Sequence, residues 1–398
     1  MNPSSEAICL VTGRKLRPVA TTYSSFIVGG KSNAKLVAFQ ENSGYDSYGK
    51  KKGFNAPISE EAEFKYTTAL LAMLSKTSRN KFLIGNRTFV FWVSNNNDVG
   101  KRAEENIWAM LGFKDSSVDD PNHGIGQVRK VFHAIYSGTL KTSLDDKFYI
   151  LGLAPNSARI AVTYWAEIPL KDFAEHINRH FDDMEIDGNK EYKPYMGLHS
   201  ILSAVTLDGK VSDITPNLPE AVVKSIFQGL PYPQPLFSAC IRRIRAEASY
   251  KDKRAVSIVR VAIIKAYLNR LNNKEQNIKV MLDKENTNQG YLCGRLFAVL
   301  DKIQGDANGQ HSIRERYMNA ASATPVAVFA TILNLSSHHS EKLTEGLNIF
   351  YEKIKQEIVE KIDANGFPAH LDLQDQGRFF VGYYHQMQSF YVKNEVEN

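Results

Sequence analysis

An α+β chain is what this sequence predicts, with strands and helices mixed through the N-terminal and middle regions and an all-helical bundle at the C-terminal end. Three observations support that class. Short apolar runs bounded by turn residues alternate with helix-like stretches in the first half of the chain. Two of these runs, "KFYILGLA" and "ARIAVTYWAEI", are separated by Pro155 and Asn156 and feed directly into a helical stretch, a ββα unit. Beyond the Pro-rich "GLPYPQP" only helical periodicity remains.

Taken in order, "ICLVTG" and "AKLVAF" read as strands. "ISEEAEFKYTTALLAML" reads as a helix with Ser59 as N-cap, acidic residues in its first turn, and an apolar row of Ala62, Tyr66, Leu70 and Leu74. The strand "RTFVFWV" follows, then the polar "SNNNDVGKRAEE". The hairpin leads into "LKDFAEHINRHFDDM"; this unit suits a ferredoxin-like or another α+β module. In the last part, Leu292, Leu296, Val299 and Ile303 mark one helix. Leu343, Leu347, Phe350, Ile354, Ile358 and Ile362 mark another that stops before Gly366 and Pro368. With "GRFFVGYYHQMQSFYV" they close a bundle of four to six helices. The expected organisation is a mixed α/β region over 1–100, an α+β region over 101–235, a basic helical segment over 236–280 and a helical bundle over 281–398.

The composition is that of an ordinary globular chain, with no apolar window approaching the roughly 18 residues a spanning helix needs. No membrane partner is expected. Cys9, Cys240 and Cys293 are far apart and form no metal-ligand spacing; free thiols suit a reducing cytoplasm. Charge is unevenly placed. Residues 281–398 hold 11 Lys and Arg against 15 Asp and Glu, whereas 242–279 hold 11 against 3. Such a concentration fits either a polyanionic partner or a solvated helix face.

No motif of catalysis is present: no Walker A loop, no HExxH, no GxSxG. "GIGQVRK" lacks the third glycine of a dinucleotide site. His176 and His180 stand one helical turn apart but lack a third ligand, so they read as one polar helix face. Neither a metal nor a cofactor is expected, and the chain is expected not to be an enzyme.

Two stretches have the chemistry to bind nucleic acid. Arg242 and Arg245 share a helical face with Arg243 to one side, and Lys251, Lys253 and Arg254 form a second cluster. Guanidinium groups suit phosphates through bidentate, charge-assisted bonds. Arg260 and Arg270 read instead as internal ion-pair partners. The second stretch is the loop from Tyr45 to Asn55, where Tyr48, Lys50, Lys51, Lys52 and Asn55 are the candidate contacts: lysines for phosphates, aromatics for unpaired bases, glycines for close backbone approach. An ordinary surface loop with inward aromatics fits the same residues. In the acidic C-terminal part, Arg295, Arg314 and Arg316 are the local cations available to DNA.

The segments "ICLVTG", "LVAFQENSGYDSYGKKKGFNAPISEEAEFKYTTAL" and "IGNRTFVFW" resemble the large subunit of the type I-C CRISPR Cascade complex. The resemblance continues through "FYILGLAPNSARIAVTYW", "RRIRA", "AIIKAYLNR", "LCGRLFAVLDKIQ", "MNAASATPVAVF" and "FPAHLDLQDQGRFFVGYYHQMQSFY". It lapses at Thr21, Thr22 and Tyr23 and near Lys52, and it implies that a family N-terminal region before "CLVTG" is lacking, along with the motif reading it performs. It implies a non-catalytic subunit that supports target DNA binding and the R-loop in antiviral defence. The implied partners are guide RNA, target DNA, the backbone and guide-processing Cascade subunits, and a separate helicase-nuclease. The part from Met281 onward resembles the family's small subunit, so it is expected to fold alone and to be made from an internal start. A protein-only scaffold and a nuclease with an unrecognised site are the alternative classes.

Overall fold

The computed structural model describes residues 6–42, 44, 47–95, 97–110, 121–143, 145–188, 196–250, 255–271, 277–309 and 311–391. Two compact units are present, one comprising Met1–Asp115, Gln127–Glu175 and Ile214–Glu220, the other Ser116–Gly126, His176–Asp213 and Ala221–Asn398. The class is α+β, with helices dominating the C-terminal region.

In chain order the elements up to the middle are β1 (Ala7–Ile8), β2 (Lys15–Leu16), α1 (Glu60–Leu74), β3 (Lys81–Ile84), β4 (Arg87–Val93), α2 (Asp98–Met110), α3 (Pro121–Tyr136), β5 (Lys147–Asn156), β6 (Arg159–Pro169) and α4 (Leu170–Met184). Strands β3 to β6 form one antiparallel sheet in sequence order, a meander. Alternation sends Phe82, Phe89, Phe91, Phe148 and Ile150 to one buried face, where Phe148 stacks on Phe173 of α4 at 3.9 Å between ring centres. On the opposite face Val90, Leu153 and Ile160 pack with Leu70 of α1 and with Ile27 and Ala34.

Helix α1 begins as its sequence indicates: Ser59 Oγ accepts from the Ala62 amide at 3.3 Å. The hairpin differs in one detail. Pro155 and Asn156 are paired within β5, and the turn is made at Ser157 and Ala158, with Ser157 at φ 55°. "ICLVTG" contributes only Ile8 to the two-residue β1, and "AKLVAF" forms no strand. Its Lys35 touches the start of β6 through one parallel bridge, while Ala34 is buried and Leu36 packs against the core without a continuous ladder. Apolar alternation there reflects burial of a loop, which periodicity alone does not distinguish from a strand.

The remaining helices are α5 (Leu198–Ala204), α6 (Leu218–Phe227), α7 (Gln234–Glu247), α8 (Ile258–Arg270), α9 (Gln289–Asn308), α10 (Ser312–Ala321), α11 (Pro325–Ser340), α12 (Glu345–Val359) and α13 (Leu373–Ser389). The second unit is built around α9, which is flanked by α10, α11, α12 and α13. Leu292, Leu296, Val299 and Ile303 are fully buried. The Pro-rich segment lies within this unit. Tyr232 is buried beneath the Arg270 guanidinium, 4.2 Å from its ring centre, and Ser225 Oγ donates to the Pro231 carbonyl. The apolar stripe of α12 is only partly used. Tyr351 and Ile358 are buried, whereas Leu347 and Phe350 are 41% and 48% exposed. Tyr351 reaches Asp306 and Glu357 reaches Arg295, both on α9, so the stripe before Tyr351 stays partly exposed, with Phe350 meeting Phe390 edge-on at 6.4 Å between ring centres.

Candidate nucleic-acid interface

The two basic stretches fall in separate units, the loop in the first and the arginines in the second. In the loop, Tyr48 is 97% exposed and holds a left-handed backbone, φ 56°. That conformation is costly for a bulky side chain, and here it presents the ring to solvent with no apolar cover. Lys50 and Lys51 are exposed beside it. Lys52 pairs with Glu41 at 3.8 Å, an exposed contact worth little. Asn55 is not a free contact group: its Nδ2 donates to the Lys52 carbonyl at 3.1 Å and to the Lys50 carbonyl at 3.5 Å, bracing the turn that carries the lysines. Gly53 is required by a close approach. Its amide donates to the Ala20 carbonyl at 3.0 Å, and a Cβ there would stand 2.2 Å from the Val19 carbonyl oxygen. Tyr45 lies outside the described residues.

Of the arginines on α7, Arg242 is exposed and makes no ion pair with the described residues. Arg243 is committed to Glu247 one turn on, with its side chain 18% exposed. Arg245 is half-buried, and its Nη1 donates to Gln376 of α13 at 3.4 Å. Arg260 and Arg270 are internal ion-pair partners, to Glu247 at 2.6 Å and to Asp183 at 2.5 Å. Burial works to raise the Glu247 carboxyl, and the hydrogen bonds from Arg260 and Arg243 outweigh it, holding it below the usual carboxylate range. Lys251, Lys253 and Arg254 lie outside the described residues.

Two further expectations change with the structure. Arg295 is not available to DNA. It is fully buried on α9, donating to Gln386 at 3.0 Å and to Glu357 at 2.8 Å. The face of α4 bearing His176 and His180 is not a polar surface. His180 is buried, donates from Nε2 to the Met196 carbonyl at 3.0 Å and meets the Tyr232 hydroxyl through Nδ1 at 2.7 Å. Burial pushes its pKa down to about 4, so it is a neutral packing residue. His176 donates to the Phe227 carbonyl at 2.9 Å. Among the described residues no three His, Cys, Asp or Glu side chains are grouped to hold a metal, and no helix is long and apolar enough to cross a membrane.

The sheet carries a second aromatic surface that the sequence reading missed. Trp92, Tyr149 and Trp165 come from three adjacent strands and lie 5.3 to 5.9 Å apart between ring centres, with Trp165 51% exposed. The available signal was the strand period, which puts all three rings on the same face of the sheet. Lys35 was missed as well. It is placed near the basic loop only because its carbonyl accepts from Ile160 and its amide donates to Ala158.

No curated protein matches the chain significantly. The CRISPR-associated protein family Cas_Csd1 matches residues 1–391, nearly the whole chain and both units. With that coverage, the chain belongs to the Cas_Csd1 family of CRISPR-associated proteins.

Proposed function

We propose that this chain is the non-catalytic, nucleic-acid-binding large subunit of a type I-C Cascade complex. In this reading it holds backbone and unpaired bases while guide-target pairing reads the sequence. It supports target DNA binding and the R-loop, sits beside the backbone and guide-processing subunits, and presents the assembly to a separate helicase-nuclease. The observation that carries the reading is the loop in which Tyr48 is 97% exposed next to two exposed lysines, on a turn braced by Asn55 and Gly53. A rigid turn presenting one ring and two ammonium groups suits a single strand better than a duplex, because only unpaired bases offer free π-faces. On the arginine helix, Arg242 is the residue offered to phosphate.

The test is salt-dependent binding of single-stranded DNA and RNA by the whole chain. Lys50→Ala with Lys51→Ala should flatten the slope of log affinity against log salt by about 0.7 for each phosphate left without its lysine. Tyr48→Ala should weaken binding about tenfold and leave that slope unchanged. A double-lysine variant that stays folded and keeps the wild-type slope would refute the assignment of the loop. Divalent-metal-dependent cleavage of either strand by the purified chain would refute the non-catalytic part.

A further inference from the structure

Behind the same loop lies a cavity of about 280 Å³, lined by four chain segments that are each hydrogen-bonded to another. The loop joins the segment that follows β2 through the Gly53 amide and the Ala20 carbonyl. Thr22 Oγ1 donates to the Val37 carbonyl at 2.5 Å, and Lys35 is tied to the hairpin turn through Ala158 and Ile160. The cavity is therefore preformed. Its walls are mostly small or apolar, with Ala38 and Ala56 leaving width, Phe39 supplying a ring, and Thr21, Thr22 and Asn33 adding uncharged polar groups. Lys35 and Lys52 are among the lining residues, and none of the lining residues is acidic. The carboxylate of Glu41 meets Lys52 at 3.8 Å in an exposed pair, which an incoming phosphate can displace.

A largely apolar cavity with one ring and two cations matches an amphiphilic anion that carries a ring of its own. We propose that the cavity takes one unpaired base of the strand held by the Tyr48 loop, with the flanking phosphates on Lys35 and Lys52. This rests on the nucleic-acid reading of the loop. A base in a duplex has its edge paired and its faces stacked, so only an extruded or single-stranded nucleotide enters such a pocket. The loop lysines and Tyr48 then serve the neighbouring nucleotides, and the cavity supplies the fixed point that sets the strand's register.

The test uses the full chain, fluorescent oligothymidylate and an abasic sugar-phosphate strand of equal length. Ala38→Leu and, separately, Ala56→Leu fill the cavity without touching a charge. Each should weaken oligothymidylate binding about tenfold, leave the salt slope unaltered and leave abasic-strand binding unchanged. Wild-type binding of oligothymidylate by either folded variant overturns the cavity assignment. Equal weakening for both strands overturns it too, since a general distortion would then be the cause. A measurement on the unmodified chain covers misfolded variants: a 5-iodouracil strand, irradiated and digested, should leave its adduct on Phe39, and an adduct on Tyr48 alone counts against the cavity. Failure of the underlying loop reading looks different, appearing as an unchanged salt slope in the Lys50→Ala, Lys51→Ala protein.

Discussion

Gly294→Ala should destabilise the second unit although alanine is the better helix former. Helices α9 and α13 cross so closely that a Cβ at Gly294 would stand 1.9 Å from the Phe379 carbonyl oxygen. The crossing is sustained by further glycines: a Cβ at Gly382 would stand 2.2 Å from the Tyr291 carbonyl, and one at Gly290 would stand 2.5 Å from that of Asp375. Side-chain carbons essentially never approach other atoms within 3.0 Å, so the Gly294 variant must part the two backbones by at least 1.1 Å, the difference between 3.0 and 1.9 Å. A gap of that size forfeits roughly a quarter to a half of the dispersion energy between the atoms it separates. Those atoms include Phe297 and Phe379, both fully buried and 5.7 Å apart between ring centres. Overpacking of this kind costs about 3 kcal/mol at the upper end of its usual range, and the gain in helix propensity returns about 1 kcal/mol. The net destabilisation is about 2 kcal/mol, which is roughly 4–8 °C in Tm for a unit of this size. Thermal melting by circular dichroism measures it, with Gly346→Ala as the internal control. Gly346 lies in the first turn of α12 with nothing within 4 Å of the added carbon, so that variant should hold or raise Tm. If both variants shift Tm alike, close helix crossing is not what glycine provides at position 294.

Arg243→Ala should lower stability by about 1–3 kcal/mol while leaving the salt slope of DNA binding unchanged, because it strips a partner from buried Glu247. Arg242→Ala should do the reverse, flattening the slope by roughly 0.7–0.9 with an unchanged melting curve. Acid should weaken the second unit early. Burial holds His180 and His385 at about 4, below the ordinary histidine value, so their unfolded forms bind protons first. Stability is then complete above about pH 6.5 and falls away as pH drops towards 4, by ~3 kcal/mol for each group at the low end. Melting His180→Asn and His385→Asn across that range should give a flatter pH dependence than wild type; an equal slope rejects the assignment. Residues 281–398 expressed alone should be helical but melt below the whole chain. On α13, Gly377 packs against Phe237 of α7 and Ile264 of α8, and the Tyr384 hydroxyl donates to the Asp187 carbonyl, all absent from the fragment. A disordered fragment rejects independent folding, and a fragment as stable as the whole chain rejects a role for α7 and α8.

Short-range physics accounts for the features that could be read from the chain before it was folded. The N-cap at Ser59, the strand period of β4 to β6, the stripe of α9 and the inward arginines Arg260 and Arg270 are each legible within a few residues of chain. The exposed Lys50 and Lys51 are legible in the same way, whereas the outward ring of Tyr48 is not, since a loop with inward aromatics fits the same residues. Which cation is free, by contrast, is a matter of packing. Arg242 and Arg243 are adjacent on the chain, yet one faces solvent and the other meets Glu247. Arg295 looked like a surface cation within an apolar run until Glu357 and Gln386 came to it from α12 and α13. Asn55 turned from a contact into a brace in the same way. The cavity is the clearest case. Its walls come from the segments around Ala20, Val37, Gly53 and Ala158, which have no common spacing in the sequence. Periodicity reports whether a residue is buried, through the local geometry of helix and strand, but a charge's partner and a cavity's shape depend on chain-distant groups brought together by the packing of the whole unit.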